Sequence, residues 1–133
     1  MSTSYHIHVR PSDSTIASNA EGFRAEVAAV LGAPLAPSVH GYGWTARSAA
    51  GVVEVFTEFP LFDDEPGIPF SRYPWYVEMA RPRVDEVRNR EVLARMWAIY
   101  DALVATGRYC CCFVHEFSTL LATNDIAVTG SPV

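Results

Sequence analysis

The sequence contains no lysine and no glutamine, and all ten of its basic residues are arginine. Together with abundant alanine, that pattern reads as the codon bias of a GC-rich genome; thermal adaptation is the alternative. Basic charge is also scarce overall. The formal net charge is −5 at pH 7 and the pI is near 5.2. A nucleic-acid partner is therefore not expected, because phosphate binding draws on Lys and Arg. An anionic membrane surface is disfavoured for the same reason, whereas a basic protein is electrostatically compatible.

No apolar run reaches the ~20 residues of a membrane span. Met1 to His6 shows no basic stretch leading into an apolar one, so no signal peptide is expected. Cysteine is confined to three consecutive positions, Cys110, Cys111 and Cys112. Neighbouring residues on a strand point to opposite faces, so these thiols cannot pair with one another in regular geometry. Free thiols and a reducing cytoplasm follow as the expectation. Also missing are the glycine-rich phosphate loops, the Gly-x-Ser-x-Gly elbow, His-Glu-x-x-His and Cys-x-x-Cys. No cofactor is expected.

What is present is a folded chain of 133 residues, half of them hydrophobic and 19% charged. That length suits one domain able to bury its own core. The organising stretch is Val84 to Phe117. Val92, Leu93, Met96, Trp97, Ile99, Tyr100, Leu103 and Val104 form a broad helical stripe starting from a cap at Asp85 or Asn89. Gly107 stops the helix. Tyr109 to Phe117 then reads as a strand that is apolar on both faces until His115, which marks it as central.

Earlier elements follow from period and punctuation. Ser4 to Arg10 alternates, with Tyr5, Ile7 and Val9 opposite His6, His8 and Arg10. Ser18 and Glu21 form a capping box ahead of the stripe Phe23, Val27, Val30 and Leu31, which Gly32 closes. Ala33 to Ser38 reads as a linker. His40 to Arg47 and Val52 to Phe59 make a β-hairpin around Ser48 to Gly51. Pro60 to Tyr73 is a long irregular segment of the kind that often carries function. Pro74 to Arg81 is a further strand. Ser118 to Ala122 reads as a short turn or helix, and residues 124–133 as a loose tail.

The order β-α-β-β-β-α-β predicts one α+β domain over residues 1–133. It would be a two-layer sandwich, a mainly antiparallel sheet with two helices on one face, in a ferredoxin-like variant with the first and last strands central.

Three groups of side chains offer chemistry. His6 and His8 share a strand face, and His115 ends the other central strand. The three imidazoles could line a cleft for a metal or a ligand, or be polar groups on a wet face. The cysteines could bind a soft metal or act as nucleophiles, but a strand this apolar favours core packing. The acidic set is Glu54, Glu58, Asp63, Asp64 and Glu65, flanked by Phe62 and Phe70. Carboxylates beside aromatics suit an interface with a basic protein, and an ordinary solvated edge is the plain alternative.

The last third of the chain resembles the small α+β immunity proteins of bacterial polymorphic-toxin systems. The likeness lies in the aromatic strand Tyr73-Pro74-Trp75-Tyr76-Val77-Glu78, the long helix ending in Thr106-Gly107, and the strand leading to His115-Glu116-Phe117 and Leu120-Leu121-Ala122. The resemblance implies a non-enzymatic, acidic inhibitor that covers its partner's active site. The other reading is a small enzyme or ligand-binding domain built on His6, His8 and His115. A homodimer through a sheet edge stays open.

Overall fold

A computed structural model describes residues 3–13, 20–38, 43–48, 50–57, 62–81, 86–116 and 119–130. Ser18, Glu58, Asp85 and Phe117, named above as a cap, a binding candidate, a cap and a strand end, lie outside the described residues. The elements run β1 (Thr3–Pro11), α1 (Ala20–Leu31), β2 (Ala36–Pro37), β3 (Trp44–Ser48), β4 (Gly51–Phe56), β5 (Trp75–Arg81), α2 (Glu86–Ala105), β6 (Tyr109–His115) and β7 (Thr119–Thr123).

The strands form one seven-stranded sheet in the order β2-β3-β4-β5-β1-β6-β7, with every pairing antiparallel. The class is α+β, with two helices among the described residues. β1 is fully interior, paired with β5 through His6↔Glu78 and with β6 through His8↔Cys112. The expected linker contributes β2, whose two residues pair with Trp44 and Thr45.

The pleat sorts β1 into two environments. Tyr5, Ile7 and Val9 face the helices and join a core with Val53, Val55, Trp75, Val77, Met79, Cys111 and Phe113. Phe23 and Val27 of α1 pack into it, as do Val92, Met96, Ile99, Tyr100 and Leu103 of α2. Those α2 positions recur at helical spacing, so one apolar stripe buries against the sheet. Rings fill the space between layers. Phe113 lies 4.8 Å from Trp97 and 5.8 Å from Tyr100, while Phe23 stacks on Trp75 at 5.3 Å. Each such pair adds about 0.5–1.5 kcal/mol beyond the area it buries. Arg24 stacks over Trp44 at 4.1 Å and ties α1 to β3.

At its C-terminus α2 is closed by Thr106, whose hydroxyl donates to the Leu103 carbonyl at 2.8 Å, and by Gly107 in the left-handed region at φ 71°. Glycine reaches that conformation without the steric penalty a Cβ would bring.

The sheet's other face is not bare. A second cluster of Ile68, Phe70, Tyr73, Cys112, Val114, Leu120 and Val128 covers it, with Phe62 at its margin. Irregular segments, residues 62–73 and 124–130, therefore roof β1, β6 and β7 on the face of the sheet opposite the helices. Two corrections follow. Residues 119–123 form a strand rather than a turn or helix, paired with β6 across an irregularity between Phe113 and Val114. Asn124 to Gly130 is packed rather than loose: Asp125 and Val128 are buried, and the amides of Thr129 and Gly130 donate to the Gly67 carbonyl at 2.8 and 3.1 Å.

Candidate functional site

The roof loop is built to hold a shape. Glu65 and Ile68 exchange backbone hydrogen bonds at 3.0 and 2.9 Å around Pro66 and Gly67. Proline presets the first turn position, and Gly67 at φ 80° supplies the second. Asp64 Oδ1 accepts from the Ser71 amide at 2.8 Å. That bond, with lesser help from Arg72, holds the Asp64 carboxyl below its ordinary range. A single 3₁₀ turn, Phe70–Arg72, then leads back toward β5.

Two of the predicted binding residues point the wrong way for that role. Phe70 is 1% exposed and belongs to the second core. Phe62 is half-buried, 5.0 Å from the Tyr76 ring and 5.4 Å from that of His8. The apolar side chains of this segment turn inward because the sheet face beneath them is a better place to leave water than the surface is. Asp63, Asp64 and Glu65 remain exposed. Glu54 is half-buried on β4, directly opposite Glu78 on β5. Opposed carboxylates repel, and Glu78 is instead engaged by His6, whose Nε2 donates to Oε1 at 2.9 Å.

The three predicted imidazoles do not converge. His6 and His8 are 1% and 0% exposed, beneath the roof, with ring centroids 6.0 Å apart. His115 sits on the helix side, stacked on Tyr5 at 4.7 Å. The pleat forces this separation: Tyr5 pairs with His115, while His6 pairs with Val114. A cleft lined by all three is therefore ruled out, and so is a wet face carrying His6 and His8. Among the described residues no group of three His, Cys, Asp or Glu could hold a metal ion.

Around His8 stand Phe70 at 4.6 Å, Phe62 at 5.4 Å, Tyr76 at 5.8 Å and Tyr73 at 6.3 Å. Burial in this aromatic setting, with His6 adding to it, lowers the His8 pKa to about 3. The ring is held neutral at ordinary pH.

A network that sequence reasoning missed locks the roof down. Asp125 is 4% exposed. It takes a bidentate clasp from Arg10, Nε to Oδ2 at 2.7 Å and Nη2 to Oδ1 at 2.9 Å. Tyr73 Oη donates to Oδ2 at 2.8 Å, and the Ala127 amide donates to Oδ1 at 2.9 Å. Burial alone would raise this carboxyl, but the donors from Arg10, Ala127 and Tyr73 overcome it and bring it to about 2. The signal available in the sequence was Arg10 itself, a cation alternating with histidines on an interior strand and in need of an anion.

The thiols divide by face. Cys111 lies in the helix-side core and Cys112 in the second core. Burial raises both pKa values, Cys112 to about 12. Cys110 is half-buried, and burial raises it too, against the nearby Arg10. No thiol here is activated as a nucleophile.

Comparison of the chain with protein-family models, curated proteins and solved structures returns no match. Among the described residues no helix is long and apolar enough to cross a membrane.

Proposed function

We propose that the chain is a non-enzymatic protein-binding module that presents its acidic loop to a basic protein, as an immunity-type inhibitor would. The observation that carries this reading is the exposure of Asp63, Asp64 and Glu65 together on a backbone pinned at three points. These are the Glu65–Ile68 pair, the Asp64–Ser71 bond and the contacts of Gly67 with Thr129 and Gly130. A carboxylate cluster fixed before binding loses little conformational freedom when a cationic surface meets it. Phe62 and Phe70 serve this surface from behind, as its support, rather than as contact residues. The three free thiols suit a reducing compartment such as the cytoplasm.

The enzyme alternative loses its three-histidine cleft, because His115 stands on the opposite face from His6 and His8.

The test is binding to the product of the neighbouring gene and to basic proteins captured from the native host. Wild type is compared with Asp63→Asn/Glu65→Gln, which spares the structural bond of Asp64. The reading expects a fall in affinity of roughly 5- to 30-fold and a steep loss with salt. Affinity that is unchanged by the substitutions and insensitive to salt overturns it, and so does the absence of any protein partner.

A further inference from the structure

We propose that the chain pairs with a second copy of itself through the outer edge of β7, joining two seven-stranded sheets into one. The pairing needs no basic partner.

The two ends of the sheet are finished differently. At one end stands β2, two residues long, and one of the two is Pro37. β2 covers only Trp44 and Thr45 of β3, and past them comes Arg47, which is exposed. A very short strand, a proline and a cation are the devices by which sheet edges avoid pairing with other chains. At the other end stands β7, Thr119-Leu120-Leu121-Ala122-Thr123. It has β6 on its inner side and, among the described residues, no strand on its outer side. Neither proline nor charge interrupts it. An edge strand turns half of its N–H and C=O groups outward, and those of β7 are a template for another strand.

The irregularity in β7 adds apolar surface to that edge. Val114 pairs with Leu120 and Phe113 with Ala122, so Leu121 is an extra residue with no opposite number. It falls on the same face as Ala122, at the margin of the helix-side core, where it is only half-buried.

The charge pattern favours a second copy as the occupant. Between Phe117 and Val133 the sequence has one charged residue, Asp125, and that carboxylate is buried and clasped by Arg10. A basic protein finds no free anion here to attract it. Two chains that each carry −5 repel one another in general, but at this edge they meet without opposing carboxylates. Glu116 stands just before the strand, so an antiparallel seam sets the two copies of it at opposite ends.

Ile126 points the same way. It is 99% exposed, three residues past the strand. Its turn is held by the Val128 amide on the Asp125 carbonyl at 3.1 Å and by the Ala127 amide on Asp125 Oδ1 at 2.9 Å. A twofold antiparallel seam lays this side chain beside the start of the other copy's β7, where it leaves water. Five paired residues and one flanking side chain bury less than the roughly 1,200 Å² at which stable interfaces begin, so the pair exchanges with monomer.

The experiment is sedimentation equilibrium of the full chain from about 5 to 500 μM, a range that brackets weak association. Expected is a mass that climbs from the 14.7 kDa monomer toward twice that value. Added salt should tighten the pair by screening the repulsion, the opposite of its effect on a basic partner. Leu121→Lys should weaken association at least about tenfold, because it supplies the charge this edge lacks. Ile126→Ser, at a position with no packing to lose, should weaken it roughly fivefold. Val52→Lys makes the same charge change at an exposed position on β4 and should have no effect. Hydrogen exchange of residues 119–123 should slow on concentration while that of residues 44–48 does not. A monomer mass at every concentration, a dimer that survives Leu121→Lys and Ile126→Ser alike, or protection at residues 44–48 instead overturns the proposal. None of these outcomes bears on binding through Asp63 and Glu65, which is read separately.

Discussion

Tyr73 donates its hydroxyl proton to Asp125 over 2.8 Å, joining residues 52 apart in the chain. The bond closes the roof over β1, because Asp125 also holds Arg10 of that strand. Removing the acceptor leaves three donor groups, Arg10, Tyr73 and the Ala127 amide, without their partner. Asp125→Ala should cost about 3 kcal/mol in chemical denaturation. Tyr73→Phe, which removes one donor, should cost about 1 kcal/mol. A double variant that costs the plain sum of the two would mean that the network is not shared.

The same carboxylate dictates an acid dependence. Asp125 is held at about 2 in the fold, below its unfolded value near 4. A depressed carboxyl contributes stability above the unfolded value and loses it as pH falls through the folded one. Roughly 2 kcal/mol should therefore disappear between about pH 4 and 2. Asp125→Asn should flatten that part of the stability curve. It should leave the curve above about pH 5 untouched, because the Asp125 carboxyl is ionised there in both the folded and the unfolded chain. A wild-type curve that is level between pH 4 and 2 would contradict the Asp125 geometry.

What could be read in advance follows from which interactions leave a period in the sequence. Tyr5, Ile7 and Val9 alternate, and Val92, Met96, Ile99 and Leu103 recur by turns, so the helix side of the sheet and the α+β class were legible. The other face was not. His6, His8 and Arg10 alternate identically whether water or a roof lies above them. The roof itself leaves no period, because it is held by a proline–glycine turn and by single bonds such as Asn124 Oδ1 to the Cys111 amide at 2.6 Å. The irregularity between Phe113 and Val114 shifts the pairing of β7, so Leu120-Leu121-Ala122 shows no strand alternation. Asp125 was hidden because residues 124–130 carry no period, and a single aspartate among them gives no sign of burial.

The thiols give an inexpensive check on both cores. At neutral pH the native chain should show one accessible thiol, Cys110, since it is half-buried while Cys111 and Cys112 are buried. Its reaction should be slow, because burial raises its pKa. Denaturant should expose all three free cysteines. Three thiols reacting at one rate in the native protein would place the Cys strand at the surface, against its position between the two cores.

Gly67 tests whether the acidic loop is truly pinned. Its φ of 80° is in the region that a Cβ disfavours, and an added Cβ would stand 2.7 Å from the Gly130 nitrogen. Gly32 is the matched control, with φ 67° and nothing within 4 Å of the place an added methyl would take. Gly32→Ala should thus cost only the backbone strain, about 1 kcal/mol. Gly67→Ala carries the same strain and must also push the 129–130 backbone away, so about 2–3 kcal/mol is expected. The difference between the two variants isolates the contact that anchors the loop tip. If the reading of Asp63, Asp64 and Glu65 as a preorganised surface is right, Gly67→Ala should also weaken the basic partner without altering any charge. Equal stability losses at the two glycines would show that residues 124–130 do not hold the loop.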